Sequence, residues 1–121
     1  MIKISNTKKE NVLHIHFEGT VTSEDYEKVL IPTLEQAIKA ASPINVLCDM
    51  RAFKWLEFKA MVEDYKFGTT HLKDFDRMAL VGDQRWLPFI IQFSNIFYKG
   101  IKLKRFKTTQ LAAAKKWLEE K

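Results

Sequence analysis

The chain has a single cysteine, Cys48, so no internal disulfide can form, and a lone thiol fits a reducing compartment. Four glycines and three prolines in 121 residues are too few for a linker or a low-complexity tail. No apolar run approaches the ~20 residues that a spanning helix requires. The opening Met1-Ile2-Lys3-Ile4-Ser5 lacks a long apolar core and a small-residue cleavage site, so no signal peptide is expected. The expected setting is cytoplasmic, with any membrane contact peripheral. There is no glycine-rich phosphate loop, since Gly82 stands alone. Carboxylates are the most informative absence. Residues 84 to 118 contain none, yet carry eight bases: Arg85, Lys99, Lys102, Lys104, Arg105, Lys107, Lys115 and Lys116. The net charge of +5 is thus a strongly basic segment joined to a mildly acidic remainder.

What is present reads as one domain over residues 1–121. Ile2 to Ser5 and Val12 to Glu18 alternate as two strands of an antiparallel hairpin, ended by Gly19. Thr22-Ser23-Glu24-Asp25 is a capping-box pattern that opens a helix to about residue 41, with Pro32 inside it as a kink. Ile44 to Cys48 is apolar throughout, as a central strand is, and Asp49 to Lys54 reads as a loop. Phe58, Met61, Val62, Tyr65 and Leu72 trace a second helix. Met78 to Val81 is another buried strand, closed by Gly82-Asp83. A third helix spans 85–98, with Pro88 in its first turn. Ile101 to Phe106 alternates apolar and basic residues, as an edge strand does. A last helix, capped by Thr108 or Thr109, carries Leu111, Ala114, Trp117 and Leu118. Strands alternating with helices after a hairpin predict an α/β fold with mostly parallel strands and right-handed crossovers.

This order resembles the SpoIIAA-like family, relatives of the STAS domains of anti-sigma-factor antagonists and anion transporters. The resemblance covers nearly the whole chain. It is carried by the opening hairpin, Asp25-Tyr26 at the start of the first helix and Pro32 within it. It is carried also by the strand end Val46-Leu47-Cys48-Asp49, the strand Arg77 to Asp83 followed by Trp86, and the finish from Ala114 to Trp117-Leu118. It implies a mixed sheet of about five strands, an N-terminal antiparallel hairpin followed by βα units, with about four helices. It implies no catalytic activity, and binding of apolar ligands or association with membranes. In the antagonists a phosphorylated serine lies after the strand that here ends at Asp49. The segment Asp49 to Trp55 has no hydroxyl, which excludes a phosphorylation switch there.

The third helix is the strongest functional signal. Gln92, Asn95 and Lys99 form one narrow polar stripe, and apolar residues cover the rest. A helix lying on a sheet needs an apolar stripe over only somewhat more than a third of its circumference. The candidate ligand- or membrane-binding residues are therefore Trp86, Phe89, Ile90, Phe93 and Phe97, joined by Lys102, Lys104, Arg105 and Lys107 of the basic strand at 101–107. Asp49 and Asp83 close predicted parallel strands, each followed two residues later by Arg51 or Arg85. At the sheet's carboxyl edge these four form a candidate polar site for binding rather than catalysis. His14 and His16 share a strand face but lack a third ligand, so no metal site is expected, and no cofactor or catalytic residue. The leading reading is a non-enzymatic domain. Its partner would be an apolar or amphiphilic small molecule, an anionic membrane surface, or both. A protein-interaction module or homodimer using the same helix is the alternative. Nucleic acid ranks last, for want of a motif.

Overall fold

A computed structural model of the protein describes residues 1–120; the side chain of Phe97, among the candidate binding residues, lies outside the described residues. Five strands form one sheet in the order β1-β2-β3-β4-β5. They are β1 (Ile2–Asn6), β2 (Val12–Val21), β3 (Ile44–Leu56), β4 (Phe75–Val81) and β5 (Lys102–Phe106). The first pair is antiparallel, with Ile4 opposite Ile15, and every later pair is parallel. The helices are α1 (Ser23–Asp25), α2 (Ile31–Ala41), α3 (Phe58–Thr70), α4 (Leu87–Phe97) and α5 (Leu111–Glu119). α1 and α2 are joined through a π-helical turn, Tyr26–Leu30, and form one bent helix, which makes four in all. The mixed sheet of five strands with four helices is the architecture the sequence predicts.

The two sheet faces are covered unequally. Ile15, Phe17, Val46 and Phe75 point toward the bent helix and α3, whereas Leu47, Ala79, Val81 and Phe106 pack against Ala114 and Leu118 of α5. β3 contributes to both cores, which is why its first half is a continuous apolar run. The bent helix begins at a capping box between Thr22 and Asp25. Pro32, in the first turn of α2, has no N–H to offer the carbonyl of Lys28. The wide π turn just before it takes up that irregularity.

Two strand ends differ from expectation. β2 does not end at Gly19 but runs to Val21, because Gly19 adopts a left-handed φ of +60° and a register shift follows it. Such a bulge lets pairing resume, here between Thr20 and Trp55. The segment Asp49 to Lys54 is not a loop but the second half of β3. Beyond Asp49, β3 pairs with β2 alone, since its last partner on β4 is Val81. With one edge unpaired, its polar residues face water and read as loop. The third helix and basic strand begin and end slightly inside the expected 85–98 and 101–107.

Candidate functional site

Under α4 the core is incompletely filled. A cavity of about 210 Å³ lies between the sheet, the bent helix, α3 and α4. Its walls are overwhelmingly apolar, among them Leu30, Leu34, Met50, Met78, Ile90 and Leu103. Cys48, in the middle of the central strand, is only partly buried, as are Met50, Met78 and Leu103 beside it. All four line the cavity, and a residue at the centre of a sheet keeps accessible surface only if nothing rests on it. The space exceeds the about 150 Å³ apolar cavity that stays dry and takes up benzene.

Among the described residues the cavity has one carboxylate, Asp64 on α3. Tyr26 donates its hydroxyl to Oδ1 at 2.9 Å and Tyr98 donates to Oδ2 at 3.3 Å. Asp64 has protein mass around it but is exposed, so it sits where the cavity meets solvent. Burial raises its pKa, against the pull of the Tyr26 and Tyr98 hydroxyls. Burial and the nearby Asp64 in turn raise both tyrosines and push the Cys48 thiol up to about 12, so Cys48 is no nucleophile here. No lysine, arginine or histidine lines the cavity among the described residues. Tyr98 reaches Asp64 because Gly68 on α3 leaves room: a Cβ there would lie 2.5 Å from the tyrosine ring.

α4 faces the cavity with its less apolar side. Leu87 is fully buried and Ile91, Ser94 and Tyr98 are partly so, a stripe at helical spacing. Phe89, Phe93 and Ile96 are 69%, 61% and 64% exposed. Of the predicted binding residues, Ile90 lines the cavity, Trp86 meets Phe53 edge-on at 5.8 Å, and Phe89 and Phe93 turn to solvent. α3 repeats the pattern: Phe58, Met61, Val62 and Tyr65 face outward, while Ala60 and Phe67 face the core.

The four bases of the expected basic strand at 101–107 do not form one surface. Strand alternation puts Lys102 and Lys104 on the α5 side, where Lys102 lies 3.9 Å from Asp76 and Lys104 sits over the Phe106 and Trp117 rings. Arg105, beside Leu103, shares the α4 face and donates to the Gly82 carbonyl. Lys107 follows the strand and is exposed. The polar quartet is likewise divided. Arg51 makes a two-pronged bond to Asp49 at 2.8 and 2.7 Å, while Asp83 accepts from the Thr108 amide and Arg85 stands exposed.

Asp49 instead gains a partner the sequence reading missed, His16 on β2, whose Nδ1 lies 3.0 Å from Oδ2. Burial opposes the Asp49 charge, but Arg51 and His16 outweigh it and hold the carboxyl down to about 2. Ser5 Oγ lies 3.5 Å from His16 Nε2, which completes the order of serine, imidazole and carboxylate known from acyl transfer. The Ser5 contact is at the limit of a hydrogen bond. Ser5 is exposed on the outermost strand, across the sheet from the cavity, so the group is a surface hydrogen-bond chain. The adjacency was open to view: His16 and Asp49 are in register on neighbouring strands. Among the described residues, no three His, Cys, Asp or Glu are grouped to hold a metal.

A hairpin followed by parallel βα units, with helices on one face and a last helix behind, defines a STAS-type α/β domain. The chain belongs to the SpoIIAA-like family, whose pattern matches residues 12–119. It is similar to an uncharacterized DUF3478-family protein with a SpoIIAA-like fold from Shewanella loihica PV-4. That likeness has 30% identity and a TM-score of 0.79, over 98% of this chain and 92% of that one. It also shares the fold of the anti-sigma factor antagonist SpoIIAA in its unphosphorylated form. There the identity is 11% and the TM-score 0.65, over 99% of this chain and 100% of that one. A search of curated proteins matches nothing. Domains of this type are generally regulatory and non-enzymatic. Among the described residues, no helix is long and apolar enough to cross a membrane.

Proposed function

We propose that the protein binds a small apolar or amphiphilic molecule in the cavity beneath α4, with α4 as its cover, and does so without catalysing a reaction on it. The observation that carries this reading is the 210 Å³ apolar space at the centre of the sheet. Interiors are otherwise packed to the density of organic crystals, and voids are few. The space is smaller than the ~300 Å³ lower bound of drug-sized pockets, so the ligand is small or enters by one end. Titration with 1-octanol followed by NMR tests it. Saturable shifts should centre on Cys48, Met78, Leu103 and Tyr98. Shifts confined to outward residues of α3 and α4, or none, would overturn the reading.

A second reading concerns the outward face. Phe89, Phe93 and Ile96, with Phe58 on α3, put more apolar side chain into solvent than scattered surface residues do. A second copy of the chain suits this face better than an anionic membrane, because Lys102 and Lys104 lie across the sheet from it. Sedimentation velocity over a concentration series tests the dimer, and flotation with anionic vesicles tests the membrane.

A further inference from the structure

The cavity is not indifferent to the head group of what enters it. We infer that its ligand is an apolar cation, an alkyl or aryl amine in its protonated form, whose chain fills the space while its ammonium pairs with Asp64. This rests on the ligand-binding reading above and specifies the chemistry of that site.

The argument begins with unused hydrogen-bonding capacity. An ionised carboxylate offers about four acceptor positions. Each Asp64 oxygen takes one tyrosine hydroxyl, at 2.9 Å from Tyr26 and 3.3 Å from Tyr98, which leaves a position on each for another donor. Both tyrosines must give their protons to Asp64, so the oriented group presents acceptors to the cavity. An ammonium, with three N–H donors and no acceptor, complements it; a carboxylate or phosphate head does not.

Charge points the same way. Among the described residues, no lysine, arginine or histidine lines the cavity beside Asp64. Asp49 and Asp25, by contrast, are held by Arg51 and by the Thr22 turn and N-terminal amine. Among the described residues, Asp64 has only the neutral Tyr26 and Tyr98 hydroxyls as hydrogen-bond partners, at the edge of an apolar space that faces it on one side. Burial disfavours its charge, and a bound cation would restore it. The position also suits entry: Asp64 is exposed and lines the cavity, so the ammonium keeps part of its hydration while the chain passes inward toward Leu30 and Leu34.

The test compares three ligands of equal chain length at pH 7 by calorimetry: octylammonium, 1-octanol and octanoate. Affinity should fall in that order, with octylammonium at least tenfold tighter than octanoate. Asp64→Asn should bring the three within about threefold of one another, chiefly by weakening octylammonium. The ligand comparison in wild-type protein needs no variant, so the inference stays testable if Asp64→Asn fails to fold. Octanoate binding as tightly as octylammonium would overturn the cation assignment and leave the cavity reading standing. If the preference for octylammonium survives in folded Asp64→Asn, Asp64 is not its source and the inference fails. Absence of binding by all three, octanol included, would overturn the cavity reading itself.

Discussion

Filling the cavity should stabilise the protein and abolish ligand binding together, and Ser94→Phe is the substitution for it. Ser94 lines the cavity from α4 and is partly buried, so a larger side chain there grows into existing space. Closed cavity volume costs about 24 cal/mol per Å³ in a core, so for this partly open 210 Å³ space about 5 kcal/mol is an upper bound. A ring that occupies roughly half of it recovers at most about 2.5 kcal/mol. Forcing new atoms among existing ones typically costs about 1–3 kcal/mol, toward the low end where space is already open. The net expectation is a gain of about 1 kcal/mol, seen as a Tm rise of roughly 3–6 °C for a chain of this size. Paired measurements check it: urea denaturation for stability and octanol titration for binding. A variant that is less stable and still binds octanol with wild-type affinity would refute the cavity as the binding site. A variant that is more stable and still binds would place the ligand elsewhere.

Three further outcomes follow from the same geometry. The depressed Asp49 pKa contributes stability that is present above the carboxylate's ordinary pKa and is lost as pH falls from there through about 2. Because Arg51 is 40% exposed, solvent screening trims this to about 1 kcal/mol at pH 7; Asp49→Asn should lose it at pH 7 and unfold in urea like wild type near pH 2. Leu87→Ala should cost about 2–4 kcal/mol and raise amide exchange across α4, since Leu87 is the one fully buried side chain the helix inserts among the described residues; unchanged exchange would mean that α4 is held elsewhere. Phe89→Ser with Ile96→Ser should alter stability by less than about 0.5 kcal/mol per site, these being surface positions, while reducing any self-association seen in sedimentation.

The strands were readable because alternation is a strong signal where one face is buried. Leu13, Ile15 and Phe17 reach the core together, as their spacing requires. Strand ends were less legible. Gly19 continues β2 through a bulge, and Arg51 and Lys54 belong to a strand although one of its edges has no neighbour. The cavity was legible only as an expectation that the third helix carries more apolar surface than a sheet can use. Its polar centre was not legible at all. On α3 the more hydrophobic stripe, Phe58, Met61, Val62 and Tyr65, points outward, and the inward stripe is Ala60, Asp64, Phe67 and Gly68. The rule that apolar residues face the core selects the wrong side of such a helix. Asp64 looks like a solvated charge until Tyr26 and Tyr98, distant in sequence, are brought to it.

The same inversion explains why the cavity persists. A helix advances about 100° per residue, so turning α4 by one such step would carry Phe93 toward the place of Ser94 and let its ring collapse into the space. Three contacts oppose that rotation. Leu87 fixes the first turn in the core. Gln84, just before the helix, donates from Nε2 to the Met50 carbonyl at 2.6 Å and ties the approach to β3. Tyr98, at the far end, is held by Asp64 and by the groove at Gly68. Asp64 therefore has two effects at once: it faces the cavity as its single charge among the described residues, and through Tyr98 it secures the end of the helix that keeps the cavity open. A cation that strengthens the ionised form of Asp64 strengthens its bond to the Tyr98 hydroxyl as well. On the ligand reading proposed above, occupancy and the position of α4 would be coupled through one carboxylate.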